Sequence, residues 1–355
     1  MQIEELLELT VDSNASDLHL SAGLPPIIRV GGELLKTEKP SMNEGDVQQL
    51  IFSMLTNEQR RELEQNLELD CSLGIHGVGR FRVNVYKERG SYAAALRTIA
   101  TETPTIEQLG LPQVVREIAE KHKGLVLVVG ATGSGKSTTL ASMVNHINTT
   151  KAVHILTVED PIEYVHMSKR SIVHQRELGS DTKSFANALK SALREDPDVI
   201  LVGELRDLET IQLAITAAET GHLVLGTLHT SSAAQTIDRI IDVFPSGQQQ
   251  QIRTQLAASL VAVFAQTLLP KLDPMGNRAG RVLAQEIMVI TPAIANLIRE
   301  GKGAQIYSAI QTGAQQGMIT LEGSLKNLYT KRLITYEDAL AASSRPDDLV
   351  KLMAL

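Results

Sequence analysis

The sequence Gly130-Ala131-Thr132-Gly133-Ser134-Gly135-Lys136-Ser137 decides the fold of this chain. It matches the pattern G-x-x-x-x-G-K-[ST], in which a glycine-rich turn wraps a phosphate with its backbone N–H groups. Residues 125–129, directly before it, form an unbroken apolar run typical of a strand that is buried on both faces. After it, apolar residues recur at helical spacing at Leu140, Met143, Val144 and Ile147. Strand, loop and helix in this order predict a binding site for a nucleoside triphosphate.

The residue types in this loop each have a chemical reason. Glycines adopt backbone conformations that other residues avoid, and the start of the next helix offers free N–H groups to an anion. Lys136 is expected to reach the β- and γ-phosphates, and the hydroxyl of Ser137 to hold a magnesium ion. The predicted nucleotide-binding residues are Gly130, Ala131, Thr132, Gly133, Ser134, Gly135, Lys136, Ser137 and Thr138.

Composition narrows the class of protein. The chain has 355 residues, is 43% hydrophobic and carries a net charge of −7, so it can build ordinary cores and has no global basic field for nucleic acid. Aromatic residues make up only 3%, which leaves few platforms for stacking bases. The single cysteine, Cys71, excludes an internal disulfide.

The N-terminus is acidic and unlike a signal peptide, and the longest apolar stretch, 256–269, is too short for a transmembrane segment. We therefore predict a cytoplasmic protein.

The sequence divides into two domains. Residues 1–98 indicate a mixed α+β domain, with a helix over 3–9, a helix over 44–65 and a hairpin of two strands joined by Glu88-Arg89-Gly90. Residues 99–112 are the predicted linker. Residues 113–355 alternate apolar runs with amphipathic helices, which predicts a parallel sheet. Its predicted strands are 125–129, 154–158, 199–202 and 223–227. The run 256–269 is predicted as a buried helix, and the chain beyond Gly247 as mostly helical.

Three acidic or histidine clusters flank these strands. The first is Glu159-Asp160-Pro161-Ile162-Glu163, the second is Gly203-Glu204, and the third has His222 and His229 at the two ends of one strand. We expect them at the edge of the sheet where the phosphate loop lies. One carboxylate should orient the attacking water and another should hold Mg²⁺ through a coordinated water. The spacing does not say which carboxylate has which role.

The motifs together resemble the secretion-superfamily ATPases, which power type IV pili and type II secretion. The Walker A, Asp, Walker B and His boxes of that family correspond in order to 130–137, 155–163, 199–206 and 220–230. Residues 15–20 resemble the opening motif of its N-terminal domain, so the likeness covers essentially the whole chain. The resemblance implies an α/β protein with a RecA-like P-loop ATPase domain and a smaller N-terminal α+β domain that is PAS-like. It also implies a homo-hexamer that binds ATP and Mg²⁺ between the two domains.

The resemblance also assigns roles to single residues. Glu163 would be the general base, and Glu204 the Walker B carboxylate on the magnesium side. His222 and His229 would sense the γ-phosphate and contact neighbouring elements. Arginines of the N-terminal domain would reach the triphosphate. Arg82 and Arg97 match the paired arginines of the family, and Arg80 and Arg89 are weaker matches.

Among the subtypes of this ATPase family, the chain resembles one most. Most assembly ATPases carry a tetracysteine insert and an extra N-terminal domain, and we expect neither here, because the chain has one cysteine and its sequence opens with the PAS-like unit. Ala293 to Glu300 is similar to an element of the pilus-retraction ATPases. This resemblance implies a motor at the cytoplasmic face of the inner membrane that acts on a platform protein there, and so indirectly on pilin, to support twitching motility. Three alternatives remain open: an assembly or type II secretion ATPase, a nucleic-acid translocase, and a module that binds ATP with hardly any turnover. A GTPase is disfavoured because no [NT]-K-x-D motif is present.

Overall fold

The structure is a computed structural model that describes residues 1–75, 77–100 and 102–354. The chain forms two compact units. The first contains Met1–Glu102 and the short segment Pro161–Val165, and the second contains Thr103–Asp160 and the chain from His166 onward. The division after Glu102 falls inside the segment 99–112, for which the sequence predicts a linker. The sequence does not predict that Pro161–Val165 belongs to the first unit.

The first unit is built on an antiparallel sheet with the strand order β3-β2-β1-β6-β5-β4. In β5 the alternate residues Phe81, Val83 and Val85 are buried, and the core of the unit also includes Leu18 and Leu96. Its strands are β1 (Asp17–Leu20), β2 (Ile27–Val30), β3 (Glu33–Lys36), β4 (Glu68–Ile75), β5 (Gly79–Glu88) and β6 (Ser91–Ile99). Its helices are α1 (Ile3–Asp12), α2 (Glu44–Met54) and α3 (Asn57–Asn66).

Two local features of this unit follow from the sequence. The β5–β6 hairpin is confirmed, and it turns at Arg89 and Gly90, whose φ angles of 52° and 88° suit a two-residue hairpin turn. The single helix predicted over 44–65 is wrong. Thr56 and Gln59 form reciprocal side-chain-to-backbone hydrogen bonds that start a new helix, so α2 ends before α3 begins.

The second unit contains a mostly parallel sheet with the strand order β13-β12-β7-β11-β10-β8-β9, in which only the β12–β13 pair is antiparallel among the described residues. Its strands are β7 (Gly124–Val129), β8 (His154–Glu159), β9 (Ile172–Glu177), β10 (Val199–Val202), β11 (Leu223–Leu228), β12 (Leu260–Leu272) and β13 (Arg278–Val289). Its helices are α4 (Gln113–Ala119), α5 (Lys136–Thr150), α6 (Phe185–Ala192), α7 (Leu208–Glu219), α8 (Ala233–Asp242), α9 (Ser246–Ser259), α10 (Pro292–Arg299), α11 (Ile306–Thr312), α12 (Leu321–Thr330), α13 (Tyr336–Ala342) and α14 (Pro346–Ala354).

The central strands of this sheet are the ones that the sequence predicts. Strands β7, β10 and β11 are buried at every residue, because helices cover both faces of the sheet. The predicted strands 125–129, 154–158, 199–202 and 223–227 are all confirmed to within one residue at each end. No helix in the described ranges combines the length and the apolar character needed to cross a bilayer.

The prediction of a buried helix over 256–269 is wrong. Helix α9 ends at Ser259, and β12 then runs beside β7, with Leu260 opposite Leu125 and Ala265 opposite Val129. A strand between two others is apolar along its length, so its periodicity cannot be told from that of a buried helix. The long β12–β13 hairpin also means that the chain is mostly helical only from Pro292 onward.

Candidate functional site

The strand order brings the predicted site elements to one edge of the second unit's sheet. Parallel strands end at a common edge, and β7, β11, β10 and β8 are successive neighbours. The phosphate loop follows β7, His229 follows β11, Glu204 follows β10, and Glu159 ends β8. Neighbouring strands lie about 4.8 Å apart, so Glu204 follows a strand only about 10 Å from the one that enters the phosphate loop.

The phosphate loop needs its glycines for steric reasons. Gly130, Gly133 and Gly135 have φ angles of 145°, 79° and 90°, which residues with a Cβ rarely adopt. A Cβ at Gly130 would also collide with the carbonyl oxygen of Gln266 on β12 and lie 2.6 Å from Ser134 Oγ. Helix α5 begins at Lys136, and Gly135 before it supplies no side-chain cap. The N-terminus of the helix is therefore open to an anion.

The lysine of the loop lies across the loop itself. Lys136 Nζ donates to the carbonyl oxygens of Gly130, at 2.8 Å, and Ala131, at 3.0 Å. Within the described part of the chain, the backbone amides of Gly133 and Gly135 donate to no protein acceptor. A cradle of amides with an ammonium group beside it fits a bound phosphate.

Glu204 is held between two basic side chains. Its Oε2 lies 2.8 Å from Arg206 Nη2, and its Oε1 lies 3.2 Å from His229 Nε2. Only 20% of the Glu204 side chain is exposed. Arg206 Nη1 also lies 4.0 Å from Asp160 Oδ2, so the guanidinium links the ends of β10 and β8. Sequence reasoning missed this contact of Arg206, although the residue lies in the Walker B box.

The backbone before Glu204 is fixed by its neighbours. A Cβ at Gly203 would lie 3.2 Å from the carbonyl oxygen of Val158, so glycine allows β10 to end close against β8. Thr227 Oγ1 of β11 donates to the carbonyl oxygen of Gly203 at 2.5 Å. Buried Leu205 packs against Gly226 of the same strand. These contacts set the position of the carboxylate from both sides.

The acidic residues after β8 separate into two groups. Glu159 Oε1 accepts hydrogen bonds from Thr157 Oγ1 of its own strand, at 2.7 Å, and from Gln175 Nε2 of the neighbouring β9, at 3.1 Å. Glu163 is exposed and belongs to the first unit. There, Tyr164 forms a β-bridge with Ala100, directly after β6. The predicted base is therefore attached to the strand that carries Arg97.

The two histidines lie at opposite ends of β11. His229 is at the phosphate-loop edge with Glu204, whereas His222 precedes the strand and its carbonyl oxygen accepts a hydrogen bond from Gly124 N, at the start of β7. His222 Nδ1 lies 2.9 Å from the carbonyl oxygen of Ala217. A strand of six residues is about 20 Å long. The expectation that the third cluster lies wholly at the phosphate-loop edge is therefore wrong for His222.

The paired arginines are neighbours in the first unit. Arg82 on β5 and Arg97 on β6 are directly opposite in the antiparallel register. Both residues are exposed, and Arg97 Nε donates to Asp17 Oδ1 at 2.9 Å. Asp17 lies in the motif at residues 15–20, but no pattern in the sequence predicts its contact with Arg97.

A cavity of about 670 Å³ in the second unit adjoins the phosphate-loop helix. Gly135 and Thr138 at the start of α5, Leu268 on β12, Leu283 on β13 and residues 107–111 contribute to its lining. Cavities of this size and mixed apolar character accommodate small organic ligands. Its place beside the loop suits the base and ribose of a nucleotide.

The magnesium prediction fits the donor chemistry. The described residues contain no cluster of three or more histidine, cysteine or acidic side chains that could hold a metal ion. Mg²⁺ in nucleotide sites needs no such cluster, because it binds one or two protein oxygens together with phosphate oxygens and water. The Ser137 hydroxyl and the Glu204 carboxylate are oxygen donors of the required kind.

The phosphate loop, the parallel sheet and the acidic edge define a P-loop ATPase. Residues 2–338 match the family model of type II/IV secretion system proteins, and the chain belongs to that family. It is 53% identical over 348 residues to the type IV pilus retraction ATPase PilT of Pseudomonas aeruginosa, and the aligned region covers 98% of this chain and 100% of the relative. It is also 53% identical over 314 residues to a twitching motility protein of Neisseria gonorrhoeae, covering 88% and 83% of the two chains.

A solved structure is similar over the whole chain. The crystal structure of the pilus retraction motor PilT with bound ADP has a TM-score of 0.91 and 50% sequence identity to this protein, and the match covers 99% of both chains. These comparisons confirm the predicted α/β fold class, the ATPase activity, the binding of adenine nucleotides and the resemblance to the pilus-retraction type.

Proposed function

We propose that the protein is a motor that hydrolyses Mg-ATP to retract type IV pili by disassembling pilin. The observation that carries this proposal is the common sheet edge at which the phosphate loop meets the Glu204–His229–Arg206 cluster. The full-length similarity to a pilus retraction ATPase supports the biological role.

The site residues have different proposed roles in ATP binding and hydrolysis. The loop amides and Lys136 bind the β- and γ-phosphates, and the cavity beside α5 takes the nucleoside. Ser137 and Glu204 would hold Mg²⁺, which neutralises charge on the phosphates when it is bound. His229 lies beside Glu204 and responds to the γ-phosphate. Glu163 acts as the general base, and Arg82 and Arg97 neutralise the charge that develops on the transferred phosphoryl group.

The proposed partners follow from the same role. The protein acts as a homo-hexamer at the cytoplasmic face of the inner membrane, where it drives a pilus platform protein and acts on pilin only through it. His222, at the sheet edge away from the phosphate loop, contacts neighbouring elements of its own unit through Ala217 and Gly124. We also propose that the chain has two domains, residues 1–98 and 113–355, with a linker between them.

A deletion strain tests the role in retraction. We expect it to keep surface pili and to lose twitching motility, because assembly continues when retraction is absent. The wild-type gene should restore twitching, and a Glu204→Gln gene should not, although its product accumulates. Pili counted by electron microscopy and colony expansion under agar give the two readouts. Loss of surface pili in the deletion strain would contradict retraction and favour the assembly alternative.

A further inference from the structure

A row of polar side chains crosses the sheet of the first unit on one face. In the register of the sheet, Ser72 of β4 is opposite Arg82 of β5, and Arg82 is opposite Arg97 of β6. Arg97 is opposite Asp17 of β1, which in turn is opposite Arg29 of β2. Residues that are directly opposite share a face, so five strands contribute to one line of side chains.

The other face of the same strands is the hydrophobic core. The residues next in sequence to the row include Leu18, Ile28, Val83 and Leu96, and all four are buried. The core therefore fixes the strands and their register. As a result, the spacing along the polar row is set by the fold.

The row is cationic. The row contains three guanidinium groups and one carboxylate, and Arg82 and Arg97 are like charges directly opposite each other, an arrangement that is unfavourable by itself. Asp17 contacts Arg97 at 2.9 Å and Arg29 at 3.7 Å. For Arg82, the described residues provide no acidic partner within ion-pair distance. Because this row of side chains carries more positive than negative charge, it is suited to bind a polyanion.

Asp17 holds Arg97 in a particular way. It accepts a hydrogen bond from Nε, and this leaves the two terminal amino groups of the guanidinium unengaged by Asp17. These groups carry four of the five N–H donors and can bind phosphate oxygens in pairs. The Arg97 side chain is 72% exposed, whereas Asp17 is buried and its Oδ2 accepts from Ser16 Oγ at 2.8 Å.

The charge state of Asp17 suits this role. Burial by itself would raise the pKa of Asp17, but hydrogen bonds from Ser16 and Arg97 and the charge of Arg97 lower it below the usual value. Asp17 is therefore a carboxylate at neutral pH. Since it is ionised and fixed, it restricts the rotation of the long Arg97 side chain.

We propose that Asp17 is a positioning residue for ATP hydrolysis, which fixes Arg97 through Nε so that its terminal nitrogens meet the triphosphate. This inference rests on the proposed function, in which Arg97 contacts the nucleotide. Asp17 itself touches neither the substrate nor the reacting atoms. Its effect on the reaction passes through Arg97.

The test is a double-mutant cycle on full-length protein, read by single-turnover cleavage of Mg-ATP. Asp17→Ala is expected to lower the cleavage rate by about 10²-fold, the usual cost of a misplaced catalytic group, with little change in ATP affinity. In an Arg97→Gln background, the same substitution should have no further effect, whereas in an Arg82→Gln background it should still slow cleavage. Asp17→Asn, which keeps the shape and removes the charge, should be intermediate.

Controls separate this inference from folding and from the proposed function. Asp70→Asn is the matched control, because Asp70 is exposed on the same sheet face, and it accepts a hydrogen bond from Asn84. Its cleavage rate should equal that of wild type. If Asp17→Ala unfolds, Asp17→Asn completes the cycle. An equal loss in the Arg97→Gln and Arg82→Gln backgrounds, or no loss from either Asp17 variant, would overturn the positioning role. An Arg97→Gln protein with normal cleavage would instead overturn the proposed contact of Arg97 with ATP.

Discussion

Glu204→Gln is expected to lower the kcat for ATP by about 10²–10³-fold, the usual loss when one preorganised electrostatic contact in an active site is removed. The amide keeps the size of the side chain and removes the negative charge that would hold Mg²⁺ opposite Ser137. It also breaks the ion pair with Arg206 and alters the contact with His229. ATP should still bind, because Lys136 and the loop amides are unchanged. Phosphate release at saturating Mg-ATP and a nucleotide titration measure the two effects separately.

Glu209→Gln is the control for this prediction. Glu209 lies in the first turn of α7, shortly after the Walker B box, and pairs with Lys190 on the surface. A surface ion pair contributes little, so this variant should hydrolyse ATP as wild type does. Equal kcat values for Glu204→Gln and Glu209→Gln would refute the assignment of Glu204.

Arg82→Gln and Arg97→Gln are each expected to lower the rate of ATP cleavage by about 10³–10⁵-fold, the range for arginines that neutralise a phosphoryl transition state. This corresponds to about 4–7 kcal/mol of activation free energy. The two guanidinium groups are neighbours on β5 and β6, so one phosphate chain can meet both. Single-turnover cleavage with the protein in excess over ATP resolves rates as low as these.

Arg61→Gln is the charge-matched control for the arginine variants. Arg61 is exposed on α3 of the same unit and lies outside the polar row. Its loss should leave cleavage unchanged. If all three glutamine variants cleave ATP at the wild-type rate, neither Arg82 nor Arg97 supplies charge to the reaction, and their assignment is refuted.

Much of the fold could be predicted from the sequence because its central strands are short apolar runs between clear turn signals. The phosphate loop fixed the strand and helix on either side of it, and the strands 154–158, 199–202 and 223–227 repeat the same local pattern. Strand β12 could not be recognised, because a fully buried strand lacks the alternation that separates strand from helix. Its identity depends on pairing with β7, a contact between residues more than 130 positions apart.

The candidate site could be predicted where its residues lie close in sequence to a recognisable strand or loop. The loop residues and Glu204 follow directly from strand ends. The contact of Asp17 with Arg97 depends on strand register across 80 residues, which no local pattern reports. The attachment of Glu163 to the first unit depends in the same way on a bridge between Tyr164 and Ala100. Sequence spacing gives the residue types of a site, and tertiary pairing decides which of them meet.

The proposed motor must turn ATP over continuously at the loop that contains Lys136. Multiple-turnover phosphate release tests it most directly, with wild type and Lys136→Ala prepared and assayed together at excess Mg-ATP. We expect wild type to release many phosphates per chain and Lys136→Ala to release phosphate only at the background rate, because the ammonium group beside the loop is lost. Release that stops after one phosphate per chain in wild type, or that continues undiminished in Lys136→Ala, would contradict the account.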